Sequence, residues 1–225
     1  MSGLAVDGVV SAVREQIFLG RLRPGEHLDE GSLGRRLDVS RNTLREAFRI
    51  LAQQRLVVHE PNRGVFVRRV DAKTARDIYV ARRSLQCGAL REAAVVRATM
   101  DTPGLPAVDP QEWSRRVTAV RDAVEEGRSA ASWSDWLEVG SANGAFHVAL
   151  SALAGNAIVD RMVEQLLTES RLLFVDVASP REVHELYLTI NERLLTLVEV
   201  GDLVRAAIVL EDYLLRAERD LVSRL

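Results

Sequence analysis

Residues 28–69 read LDEGSLGRRLDVSRNTLREAFRILAQQRLVVHEPNRGVFVRR, and this stretch decides the fold of the amino-terminal third. Its pattern predicts helix, tight turn, helix and two-stranded hairpin. Ser40 is a good N-cap, because its hydroxyl can accept from an otherwise orphaned first-turn N–H. Leu44, Ala47, Phe48 and Leu51 then recur at helical spacing and form a buried stripe. Arg41, Arg45 and Arg49 fall at i, i+4 and i+8, on a second stripe rotated by about 110° from the first. A helix with one wall buried and three guanidinium groups on the next suits the DNA major groove, where arginine bonds guanine O6 and N7 or clamps phosphates.

The helix before it, near Gly31–Leu37, packs through Leu33 and Leu37. Asp38-Val39-Ser40 makes the short turn, so the pair is a helix-turn-helix. Leu56–His59 and Val65–Arg69 are rich in β-branched residues, and residues 60–64, Glu-Pro-Asn-Arg-Gly, are turn chemistry. A hairpin tipped with Arg63-Gly64 is a wing: glycine allows close backbone approach and arginine can enter a minor groove. The competing reading is a solvated basic helix in a small α/β domain. Cap, turn, stripe and wing in that order favour DNA.

Residues 12–69 resemble the winged helix-turn-helix of GntR-type bacterial transcription regulators. The match rests on Leu22, Pro24, Gly25, Leu28 and Glu30, then Ser40-Arg41, Leu44-Arg45-Glu46-Ala47, Leu51 and Asn62-Arg63-Gly64. The resemblance implies DNA contacts from Arg41, Asn42, Thr43, Arg45, Arg63 and Gly64, to which the stripe adds Arg49. Two positions depart from the family pattern. Gly31 stands where the family often has arginine, and Asn42-Thr43-Leu44 stands where it often has Thr-Pro-Val. The missing arginine removes one expected contact.

The whole chain has 225 residues, 47% hydrophobic and 28% charged, which is a globular composition with ample length for two cores. No apolar run reaches the roughly 18–20 residues of a membrane span, and the first ten residues lack a basic n-region, so the expected compartment is the cytoplasm. The single cysteine, Cys87, excludes an internal disulfide and reads as a small core residue. The net charge of −2 conceals a division: residues 1–70 hold 12 basic and 8 acidic side chains, whereas residues 71–225 hold 18 and 24. The positive field is concentrated on the DNA motif.

Two domains are therefore expected, a winged helix-turn-helix over 1–70 and an all-helical domain over 71–225, giving a mainly α protein with one small β-hairpin. Residues 5–20 predict the first helix, stopped at Gly20. After a short polar linker at 70–72, helices are predicted over 71–99, 110–127, 132–154, 156–178, 180–200 and 202–225, with a Pro/Gly-rich loop at 101–110. Ile158, Met162, Leu166, Leu173 and Phe174 are the apolar residues of the fourth. Six helices with short connections imply an antiparallel bundle.

This half resembles the helical ligand-binding domain of the FadR subfamily, known as FCD. The signs are Arg82-x-x-Leu85, Asn143-x-x-Phe146-His147 followed by Ala154-Gly155-Asn156, and Gly201-Asp202 before the last helix. The resemblance implies a homodimer on a near-palindromic operator and a small organic effector, with an acid as the best guess. Arg82 and Arg171 are then candidate anion partners. It also implies that many relatives hold a divalent cation with one Asp and three His. By motif and spacing those positions are here Asn143, His147, Asn191 and Tyr213. Only one is an expected metal ligand, so the four are expected to line an effector pocket without metal or other cofactor.

An enzyme is the first competing class, and no acid–base or metal constellation supports it. None of His27, His59, His147 and His184 has metalloprotease spacing, and no Gly-rich loop resembles a phosphate cradle. His184 reads as solvated on a charged helix face. His147, inside FHVALSALA, is either a hydrogen-bonded core residue or a cavity residue. A metal-binding member of the same family and an effector-independent DNA-binding protein also compete. A well-formed polar cavity would argue against the second of these.

Overall fold

The computed structural model describes residues 2–100, 108–174 and 180–225. It divides into two units. The first is Met1–Val70 with Thr168–Asp176, and the second is Asp71–Leu167 with Val177–Leu225. Residues 168–176, which the sequence pattern assigns to the helical half, thus fall with the first unit.

The first unit holds α1 (Ser2–Phe18), α2 (Glu30–Leu37), α3 (Arg41–Gln53), β1 (Val57–Glu60) and β2 (Gly64–Val67). Asp29 caps α2 by accepting from Ser32 N–H at 2.6 Å, and α2 ends at Asp38 in a left-handed conformation, φ 52°. That residue makes the turn tight enough for α3 to start at once. Val9, Val13 and Ile17 of α1 pack with Leu33, Leu44, Phe48 and Leu51, and Leu56, Val65 and Val67 close the core from the hairpin. Leu172 joins the same core. The strands pair antiparallel in the register Val57↔Val67 to Glu60↔Gly64.

The second unit is helical. It comprises α4 (Ala72–Arg82), a π-helical turn (Arg83–Cys87), α5 (Gly88–Met100), α6 (Pro110–Ser132), α7 (Trp136–Ala152), most of α8 (Ala157–Arg171), α9 (Pro180–Glu199) and α10 (Leu203–Val222). Asp71, Asp135 and Asp202 cap α4, α7 and α10 through Thr74, Glu138 and Arg205 N–H. The Pro/Gly-rich loop expected at 101–110 lies mostly outside the described residues.

Four expectations are corrected here. The predicted helix 71–99 is interrupted by the π turn. Its extra residue rotates the buried face from Ala75, Ile78, Tyr79 and Arg82 to Gln86, Cys87, Leu90 and Ala93, leaving Leu85 and Ala94 half-buried. The helix expected to stop at Gly127 runs on to Ser132, because Gly127 is a packing residue: a Cβ there would lie 3.4 Å from Leu188 and 3.6 Å from Ala142. Ile158 and Met162 are exposed, and α8 buries Val163 and Leu167 instead. Helix α8 ends at Arg171, short of residue 178.

Gly127→Ala should be close to neutral, since 3.4 Å is ordinary contact and alanine favours helix. Gly127→Leu has no such room and should cost about 1–3 kcal/mol. At roughly 2–4 °C per kcal/mol for a chain of this size, a melting curve separates the two. Equal melting temperatures would contradict this packing.

Candidate DNA interface and effector site

The first unit presents its arginines outward. Ser40 Oγ accepts from Thr43 N–H at 3.1 Å and lies 2.8 Å from the Thr43 hydroxyl, so the start of α3 is fixed by its own side chains. Leu44, Ala47, Phe48 and Leu51 are buried, while Arg41, Asn42, Arg45 and Arg49 are exposed and Thr43 is half-buried. The stripe is not bare. Arg45 faces Glu30 at 3.4 Å and Arg49 faces Glu46 at 3.3 Å. Exposed ion pairs of this kind are worth about 0–1 kcal/mol, so a phosphate or base can displace them.

At the wing tip Arg63 pairs with Glu60 and stands 5.2 Å over the Phe66 ring. Gly64 has φ 106°, and a Cβ would come within 2.7 Å of His27 Nε2. His27 is no mere turn residue: it bridges Phe66 and stacks on its ring at 4.9 Å. Glycine is thus required at the tip on both conformational and steric grounds.

The second unit gathers polar groups where a helical bundle normally buries hydrocarbon. Asn143 and His147 lie one turn apart on α7. Asn143 Oδ1 accepts from Asn191 Nδ2 of α9 at 2.8 Å and from the Tyr213 hydroxyl of α10 at 3.2 Å. The Tyr213 hydroxyl is also 3.2 Å from His147 Nε2. The four positions picked by motif and spacing therefore meet in one hydrogen-bonded network across three helices.

Arg82 is buried beside them. Its guanidinium carbon sits 4.8 Å over the Tyr79 ring, and its Nε has no hydrogen-bond partner. Both ends of the Gln86 amide, His147 Nδ1 and Asn191 Oδ1 are likewise buried without a partner, and the Tyr79 hydroxyl has the Arg82 guanidinium beside it. Most buried polar groups are satisfied by protein or by water, so this concentration has hydrogen-bonding capacity left for water or another polar partner. The π turn between Arg82 and Gly88 fits this, as π turns are frequent at functional sites.

Arg171 lies in the first unit, where its Nε donates to the Phe18 carbonyl at 3.1 Å. Conversely, His184 is buried rather than solvated, and with Asn143 and Asn191 it lines a small void walled by Val124, Val139 and Leu188. The void has room for about one water molecule, and Arg82, Tyr79, Gln86 and His147 are not among the residues that line it.

Burial holds the His147 imidazole well below its usual pKa, and the nearby Arg82 cation adds to this. Burial raises the Tyr213 phenol, with Arg82 opposing. At neutral pH both groups are uncharged. The folded state resists protonation of His147, whereas the unfolded chain takes the proton near pH 6.5. Stability from this residue is therefore complete above about pH 6.5 and lost as pH falls toward the depressed folded value. A His147→Gln variant should show a flatter stability profile between pH 7 and 5 than the parent. Parallel profiles would contradict the burial of a neutral imidazole. Burial likewise pushes the Cys87 thiol up to about 11, in keeping with a core cysteine.

The pattern of the "Bacterial regulatory proteins, gntR family" matches residues 5–67, and that of the FCD domain matches residues 77–216. The chain belongs to the GntR family. It is a transcription regulator with a helix-turn-helix DNA-binding domain and an FCD domain, and not an enzyme. This GntR chain is 30% identical over 173 residues to the Nta operon transcriptional regulator of Aminobacter aminovorans, covering 76% of this chain and 75% of that one. The HTH-type regulator BphR of Paraburkholderia xenovorans is 26% identical over 197 residues, with 83% and 74% covered. Among solved structures, a putative GntR regulator from Rhodococcus sp. RHA1 superposes with TM-score 0.82 at 32% identity, covering 98% of each chain. McbR/YncC of E. coli shares the fold, with TM-score 0.79 at 19% identity and 97% of each covered.

A divalent cation of the kind the family resemblance implies would fit these residues poorly. The network offers one imidazole, two neutral amides and a phenol that burial keeps protonated. Zn²⁺ and similar ions favour several imidazoles or anionic ligands. Asn143 already spends its carbonyl on two internal donors. His184 brings a second imidazole to the void but no carboxylate with it.

Proposed function

We propose that this GntR regulator binds a near-palindromic operator as a homodimer, in the cytoplasm, and that a small organic acid tunes the binding by entering the second unit directly, without a metal ion. Arg41, Asn42, Thr43, Arg45 and Arg49 face the major groove, and Arg63 and Gly64 serve the wing. The observation that carries the effector reading is Arg82: a buried cation with no hydrogen bond at Nε, in the same unit as unpartnered groups on Gln86, His147 and Asn191. A carboxylate can take that Nε in a charge-assisted hydrogen bond. The orphaned amide and imidazole then suit further oxygen or nitrogen groups of the same ligand.

The void beside Asn143, Asn191 and His184 has room for about one water molecule, so a ligand that enters there parts the helices around it. That motion is what a regulator needs, because a ligand shifts an equilibrium only if it prefers one of two conformations. Arg171, bonded to the Phe18 carbonyl, is left out of the anion site.

The small size of the void also favours a second reading, in which the network is a structural core and DNA binding is effector-independent. Thermal-shift screening against a panel of small carboxylic acids separates the two. The effector reading expects at least one acid to raise the melting temperature of the parent and not of Arg82→Ala. A panel with no stabilising acid, or one that stabilises Arg82→Ala equally, would favour the second.

A further inference from the structure

Helix α2 carries two arginines, Arg35 and Arg36, and both are exposed. They leave the helix in different directions. Measured from the buried Leu33, Glu30 lies about 60° to one side and Arg36 about 60° to the other, while Gly31 and Arg35 share the outer face. Arg45 of α3 faces Glu30 at 3.4 Å, so the Glu30 flank is the one turned to the arginine stripe. Arg36 is on the far flank.

Arg35 does not stand straight out. Side chains on a helix lean toward its N-terminus, so a residue covers the turn before its own. The residue one turn before Arg35 is Gly31. A Cβ placed on Gly31 would lie 3.6 Å from Arg35 Nη1 and 3.5 Å from Asp29 Oδ1. Because glycine puts no side chain there, the guanidinium lies along the helix and reaches its first turn. The acidic groups of that turn are engaged within the protein: Asp29 accepts from Ser32 N–H at 2.6 Å, and Glu30 faces Arg45. Arg45 and Arg49 are each held by a glutamate, whereas among the described residues no ion pair holds Arg35. Two guanidinium groups, from Arg35 and Arg45, thus come to one end of α2, and the first of them is uncommitted.

We infer that Arg35 is a phosphate-contacting residue: reaching over Gly31, it binds a backbone phosphate of the operator beside the groove that Arg45 enters. The inference rests on the DNA interface proposed above and extends it from α3 and the wing to α2. In a helix-turn-helix the first helix crosses the DNA backbone, so its outer face meets phosphates and not base edges. The guanidinium fork suits them, because it can donate two parallel bonds to phosphate oxygens. Such a contact sets the register of α3 on the duplex and carries no base information itself.

Fluorescence anisotropy of the full chain, on the operator that it selects from a random DNA pool and over a series of salt concentrations, tests this. Arg35→Ala is expected to weaken binding about tenfold. The loss should be equal on the selected operator and on its single-base variants, and the salt slope should fall by about 1 for each protein copy bound. Arg36→Ala removes the same charge from the adjacent residue on the far flank, and should change affinity by about twofold or less. Neither variant should move the melting temperature by more than about 2 °C, since both side chains are exposed. With Arg45→Ala weakened as expected, three results would each overturn the Arg35 contact alone: unchanged binding in Arg35→Ala, an equal loss in Arg36→Ala, or a loss confined to one base position. An Arg45→Ala variant that binds as tightly as the parent would instead overturn the α3 interface on which the contact rests.

Discussion

Arg45→Ala is expected to weaken operator binding by about 1–3 kcal/mol for each half-site, and so by several kcal/mol for a dimer that loses the contact twice. Arg45 projects from α3 away from the buried Leu44–Leu51 wall, and among the described residues the half-buried Glu30 competes for it. Binding is best read by fluorescence anisotropy at fixed salt, on an operator that the parent protein selects from a random DNA pool. The pattern of loss distinguishes the contact. If Arg45 reads a base, specificity relaxes at one position; if it clamps a phosphate, affinity falls uniformly and the salt slope shrinks. Unchanged affinity and specificity would remove α3 from the major groove. Arg49, paired with its own Glu46 near the end of the helix, should matter less.

The second large effect is expected at Asn143. Its side-chain oxygen is the shared acceptor for Asn191 and Tyr213. Asn143→Leu leaves a buried amide and a buried hydroxyl without it, at about 1–3 kcal/mol for each, or roughly 2–5 kcal/mol in all. Asn143→Asp keeps an acceptor of the same shape and should be less harmful, with the Arg82 cation close by. Denaturant unfolding checks the order: parent, then Asp, then Leu. A leucine variant as stable as the parent would mean that the network contributes nothing.

How much of this was legible in the sequence depends on how local the cause is. The helix-turn-helix was readable because its determinants are short-range: a cap at Ser40, apolar residues at helical spacing, and turn chemistry on either side of the wing. The network of Asn143, His147, Asn191 and Tyr213 was reachable only through the family resemblance, by aligning its ligand positions on this sequence; helix spacing alone pairs Asn143 with His147. His184 was missed because its neighbours Arg181, Glu182 and Glu185 are charged. The signal that would have found it is the longer stripe His184, Tyr187, Asn191, Leu194 and Val198, all buried at spacings of three and four. Gln86 was hidden by the π turn, which shifts the buried face by a residue that no propensity announces. The bond from Arg171 Nε to the Phe18 carbonyl was not legible, because it is a tertiary contact between residues 153 positions apart. Gly127 was taken for a stop, whereas its lack of a side chain serves the close packing of α6 against Leu188 and Ala142.

On the proposed function, the buried network in the second unit grips its ligand with protein groups and not through a metal ion. The most direct test is the metal content of the full chain, purified without an affinity tag and without chelator. Transition metal is expected far below one atom per chain, with a melting temperature that does not change when chelator is added. A stoichiometric transition metal that is lost in His147→Ala would contradict it.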